Sequence, residues 1–124
     1  KGDVVAIKND GSGNAKLYVA DNTTSGGKDE VIGMAVEDAS SGAFVHLICI
    51  QGQLAYSKTD TSAYVNATVG APIYLGSTGD ITSTAPTASD TTVVRVGYLV
   101  QRKDEVSSIV TTLFFSPQTI GENS

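Results

Sequence analysis

The sequence has no tryptophan, one histidine and one cysteine in 124 residues. A lone cysteine, Cys49, excludes an intramolecular disulfide, and its plainest role is that of a small buried hydrophobe in a strand. With one His and one Cys the chain cannot assemble a structural zinc site of the usual kind on its own. Cations are scarce too: eight Lys and Arg stand against thirteen Asp and Glu, a net charge of −5. The basic residues are scattered apart from Arg102-Lys103, which argues against nucleic acid as a partner, because phosphate binding needs clustered positive charge. No apolar run reaches the roughly 18 residues of a membrane-spanning helix, so no membrane is expected as a partner. Helical periodicity is nearly absent. No signal-peptide pattern opens the chain, which starts at Lys1; the expectation is a processed start or a numbering that begins inside a longer product.

What is present is a weakly charged, Ser/Thr/Asn/Gly-rich chain, 40% hydrophobic and 17% charged. Its apolar segments are short, rich in Val, Ile, Tyr and Phe, and bounded by Gly, Asn, Asp and Ser, the pattern of an all-β protein with little or no helix. Strands are expected over 3–8, 16–21, 31–37, 43–51, 53–57, 72–75, 93–102 and 107–116. The stretch Asn9-Asp10-Gly11-Ser12-Gly13-Asn14 reads as a hairpin loop, since Asp-Gly readily adopts positive φ. Residues 82–92 carry no apolar side chain larger than Ala or Pro and read as an exposed loop. Segment 60–69 could hold one helical turn capped by Asp60. The length suits one domain, 1–124, with its own core.

One β pattern is stated twice. Gly2-Asp3-Val4-Val5-Ala6-Ile7 is echoed by Gly70-Ala71-Pro72-Ile73-Tyr74-Leu75, and Ile32-Gly33-Met34-Ala35-Val36 by Val96-Gly97-Tyr98-Leu99-Val100. The offsets are 68 and 64 residues. A loop about four residues shorter in the second copy reconciles them. Two similar β units, about 2–57 and 70–117, would then be joined by a linker at about 58–69. The second copy of the hairpin loop is Gly76-Ser77-Thr78-Gly79-Asp80.

Two segments are apolar on both faces. Phe44, His46, Ile48 and Ile50 share one face of a strand, yet Val45, Leu47 and Cys49 oppose them. In the C-terminal segment Leu113 and Phe115 oppose Phe114. A small all-β domain normally wets one face of each strand, so such strands imply either a tightly closed barrel with covering loops or burial against another subunit. Phe44, His46, Ile48, Ile50, Leu113, Phe114 and Phe115 are therefore the candidate interface residues.

Reactive constellations are missing. His46, between Val45 and Leu47, reads as a core or interface residue. Glu37 and Asp38 are adjacent on a strand and point to opposite faces, so they open a turn and do not pair as acid and base. Asp10, Ser12, Asn14 and Asp21 fall in a calcium-loop frame, but Ala15 stands where that frame needs Gly. Gly11-Ser12-Gly13-Asn14-Ala15-Lys16 fits neither phosphate-loop pattern. No catalytic residue, cofactor or metal site is expected, and the chain does not read as an enzyme.

The segments 70–75, Gly79-Asp80-Ile81-Thr82 and Val94-Arg95-Val96-Gly97-Tyr98-Leu99-Val100 resemble small β structural proteins of tailed bacteriophages, including capsid decoration (cement) proteins and head-fibre modules. Val31-Ile32-Gly33-Met34-Ala35-Val36-Glu37-Asp38-Ala39, followed by Gly42-Ala43-Phe44-Val45, is similar to a second stretch of the same proteins. The resemblance spans most of residues 2–115. It implies a β-barrel or β-tulip-like domain, a homotrimer on the capsid exterior, and the major capsid protein as partner, with no catalytic residue to carry over. The protein would be made in the bacterial cytoplasm and end in the virion, stabilising the shell. An alternative within the same resemblance is a fibre or receptor-binding module that recognises a host glycan through loops at 22–29 and 76–92.

Overall fold

A computed structural model of the chain describes residues 3–43, 48–56, 70–104 and 109–124. Each apolar segment bounded by turn residues becomes a strand: β1 Val4–Asn9, β2 Ala15–Val19, β3 Val31–Ala35, β4 Ile48–Cys49, β5 Gly52–Tyr56, β6 Pro72–Leu75, β7 Ile81–Thr82, β8 Thr91–Asp104 and β9 Ile109–Asn123. The only helical element among the described residues is one 3₁₀ turn, Thr24–Gly26. The all-β class is as expected. The strands form two antiparallel sheets, one ordered β2-β1-β3-β4 and the other β5-β9-β8-β6-β7. Among the described residues these sheets do not close into a barrel. The chain instead crosses from the first sheet to the second between β4 and β5, through Gly52 at φ 134. That angle is open to glycine alone among common residues.

The doubled pattern appears as doubled pairing. In the first sheet Val4 pairs with Met34, Val5 with Gly33 and Ala6 with Val31, with a bulge after Val5. In the second, Pro72 pairs with Tyr98, Ile73 with Gly97 and Tyr74 with Arg95, with a bulge after Ile73. Every partner is displaced by the offsets read from the sequence. The hairpins follow suit: Ala6 pairs with Tyr18 and Ile7 with Leu17, as Tyr74 pairs with Thr82 and Leu75 with Ile81. Nine residues separate Ile7 from Leu17, and five separate Leu75 from Ile81. The four-residue difference therefore lies in this hairpin. A backbone hydrogen bond from Ala35 N to Asp3 O likewise has its counterpart from Leu99 N to Ala71 O.

Where the two units differ, the cause is local. In the first hairpin the Asp10 side chain accepts from the backbone N–H groups of Ser12 and Asn14, while Gly11 and Gly13 take the positive φ that the turn needs. The shorter second hairpin puts Thr78 at φ 49, an uncommon conformation for a β-branched residue. Strand β9 runs to Asn123, well past the expected end at 116. Pro117, which has no N–H to give, falls where the β8–β9 register shifts between Arg95 and Gly97, so the ladder loses nothing there. The loop expected at 82–92 is shorter than its composition suggested, because β7 includes Thr82 and β8 begins at Thr91. Thr91 and Thr92 are both buried.

The core lies between the sheets. Val4, Ala6, Ala20 and Met34 from the first unit meet Ile73, Leu75, Ile81, Val94, Val96, Leu99 and Phe115 from the second. The expected helical turn at 60–69 lies outside the described residues.

Candidate interaction surfaces

Strand geometry gives each unit two faces, and the repeat allows them to be compared position by position. In the first unit Val4, Ala6 and Met34 point into the core and are fully buried. The other side of the same strands carries Val5, Ile7, Leu17 and Val19. Val5 is buried, but Ile7, Leu17 and Val19 are 42%, 37% and 43% exposed. In the second unit the burial is reversed. Ile73, Leu75 and Ile81, the counterparts of Val5, Ile7 and Leu17, are in the core. Pro72, Tyr74 and Tyr98, the counterparts of Val4, Ala6 and Met34, are half-buried. Each unit thus contributes one face to the core, and the two faces used are opposite ones.

The outward face of the first unit borders a groove of about 890 Å³ between β2 and the segment 37–43. Val5, Leu17, Val19, Ala35, Ala39 and Ala43 give it apolar walls, and Asp3, Glu37 and Lys16 add two carboxylates and one ammonium. The outward face of the second unit is aromatic. The Arg95 guanidinium lies 5.0 Å from the centre of the Tyr98 ring, and its Nη2 donates to Gln118 Oε1. Among the described residues Arg95 Nε is buried without a hydrogen-bond partner. Phe114, paired with Tyr98 across β8 and β9, is 37% exposed beside them. Rigid aromatic rings with an arginine held in place are the side chains that protein interfaces favour.

The interface candidates read from sequence fall in several places. Phe114 is on the exposed face, whereas Phe115 is fully buried in the chain's own core. Ile48 is half-buried in β4, and Ile50, just after it, is 63% exposed. Leu113 pairs with Leu54 and Leu99 in β9. Phe44 and His46 lie outside the described residues. Leu17, Ile7 and Val19 were not among the candidates, because plain alternation in β1 and β2 looks like an ordinary core-facing pattern. Only the reversal between units reveals them.

At one end of the molecule the loops of both units meet. Thr24 N donates to Asp90 O, Thr92 N to Asn22 O, and Thr92 Oγ1 to Asp29 Oδ2. The Asp21 carboxylate accepts from Thr23 N and Oγ1 and from Thr78 N, tying the segment 22–29 to the second hairpin. Partial burial opposes its ionisation, but those donors and the charge of Lys28 outweigh burial and hold its carboxyl below the ordinary value. Asp10 is held further down, to about 2, by the Ser12 N–H, by Lys16, whose Nζ is 3.0 Å from Oδ2, and by the Asn14 N–H. In the calcium-like frame, then, Asp10 is engaged in its hairpin and Asp21 in the loop junction. Among the described residues no group of three or more His, Cys, Asp or Glu is placed to hold a metal ion, and no helix is long and apolar enough to cross a membrane.

Fold and surfaces together define an all-β protein of two sheets whose exposed specialisations are sheet faces and a loop cluster. No protein-family model, curated protein or solved structure matches the chain.

Proposed function

We propose that this chain is a non-enzymatic structural protein of a tailed-bacteriophage virion, a capsid decoration protein that acts as a homotrimer on the outside of the shell. The observation that carries the proposal is the pair of outward faces, one an apolar groove at Leu17 and one an aromatic cluster at Tyr98 and Phe114, on a twice-repeated β unit whose turn glycines carry the family resemblance. Surfaces of this kind suit a protein that works by burying area against the major capsid protein and its own copies, adding contacts that must break before the shell opens. An acidic exterior would also keep it off the packaged genome.

Capsids assembled without the protein test the reading. Purified chain should co-sediment with them at a fixed, saturable stoichiometry and raise the temperature at which they release DNA. Lack of saturable binding would sink the proposal.

The convergence of residues 22–29 and 76–92 at one end favours a second reading, a fibre module that recognises a host glycan. Saturable glycan binding that is lost when residues 82–92 are replaced, together with no capsid binding, would establish that reading instead.

A further inference from the structure

The reversal of faces between the two units leaves the Leu17 side of the first and the Tyr98 side of the second partly exposed. Within the chain, the Val4 face of the first unit packs on the Ile73 face of the second. The repeat makes the exposed Leu17 groove the counterpart of that Ile73 face. It also makes the exposed Tyr98 face the counterpart of the Val4 face. We infer that the Leu17 groove of one chain receives the Tyr98–Phe114 face of a second copy, in a head-to-tail contact that repeats the packing already present inside each chain.

Three observations support a second copy as the occupant. The contact continues an interface that exists within the chain and uses equivalent positions on both sides. The residue sizes are complementary: Ala6 on the covered face is replaced by Tyr74 on the exposed one, while Ile73 and Leu99 of the core have the smaller Val5 and Ala35 as counterparts in the wall of a groove of about 890 Å³, where larger rings find room. The charges are opposite in sum: the groove lining carries two carboxylates, Asp3 and Glu37, against one cation, Lys16, which is paired with Asp10, and the facing surface carries Arg95.

A head-to-tail contact uses different patches on the two partners, so repetition of it closes into a ring or grows into a filament. The homotrimer of the proposed function would place six β units around one axis, alternately first and second. This last step rests on that proposal, but the contact itself does not require a capsid.

Leu17→Glu and Phe114→Glu test the contact in solution. Both residues are partly exposed, and far-UV circular dichroism with thermal melting checks that each variant folds. Analytical ultracentrifugation of the wild-type chain should give an oligomer, and each variant alone should fall to the mass of one chain. Mixed in equal amounts, the variants should form a species of two chains and no larger, because the intact groove of one accepts the intact face of the other. A monomeric wild-type chain, variants that still assemble alone, or a mixture that stays monomeric would each overturn the contact. A wild-type mass other than three chains, with the mixing result intact, would support the contact and remove the trimer from the proposed function.

Discussion

Gly97 shows how closely single residues are constrained here. It lies at the register shift between β8 and β9, and a Cβ built on it would overlap the Phe114 carbonyl and crowd the Phe115 backbone. Backbone cannot yield as a side-chain tip can. Gly97→Ala should therefore cost about 3 kcal/mol, the upper range for overpacked interiors, as read by chemical denaturation. Gly97 also pairs with Ile73 in the β6–β8 bulge, the place that its counterpart Gly33 takes opposite Val5 in the β1–β3 bulge. Asp10 makes a second prediction. Its carboxyl has a pKa of about 2 in the folded chain against an ordinary 3.8, so the ionised form is the one that folding favours. The stabilisation is complete above the unfolded value and disappears as pH falls from about 4 toward 2. Asp10→Ala should melt lower than wild type at pH 7, and the gap should narrow across that acid window. Because the group is at the surface, the effect should be small and should shrink further in salt.

At the scale of elements, the repeat provides internal controls. Ile7 and Leu75 are equivalent in sequence pattern and in pairing, yet only Leu75 is fully buried. Leu75→Ala should destabilise the folded chain by about 2–5 kcal/mol, through lost transfer energy and the cavity left behind. Ile7→Ala should cost about 1 kcal/mol or less in the dissociated chain. Equal losses from the two substitutions would mean that the Ile7 face is covered within a single chain. The hairpins offer a second comparison, since the shorter loop holds Thr78 in a left-handed conformation. Thr78→Gly should relieve that strain by about 1 kcal/mol, visible as a raised melting temperature. The elements themselves were largely legible in the chain, because Val/Ile/Tyr segments between Gly, Asn and Asp leave few other conformations. Two were not. Strand β7 is only Ile81–Thr82, too short to show a period, and the end of β9 contains Ser116, Pro117 and Gly121, residues that argue against a strand until a bulge accommodates them.

For the whole molecule, the expected coupling is between the loop end and acid. Asp21 joins the segment 22–29 to the second hairpin, and its carboxyl is held below the ordinary value. The tie is fully present above pH 3.8 and weakens as pH falls below it. Amide hydrogen exchange at Thr23 and Thr78 should therefore quicken, relative to the core strands, in wild type below that pH, and in Asp21→Ala already at neutral pH. The sequence by itself determined the all-β class, the two similar units and even the offsets of their pairing. Those properties are local: turn glycines and two-residue alternation act within a strand or a hairpin. Which face of each unit would be buried was decided only by the tertiary structure. Both faces of each unit carry apolar or aromatic side chains, so alternation alone cannot rank them. The core forms where the Val4 face of one unit meets the Ile73 face of the other, and that meeting leaves Leu17 and Phe114 on the outside.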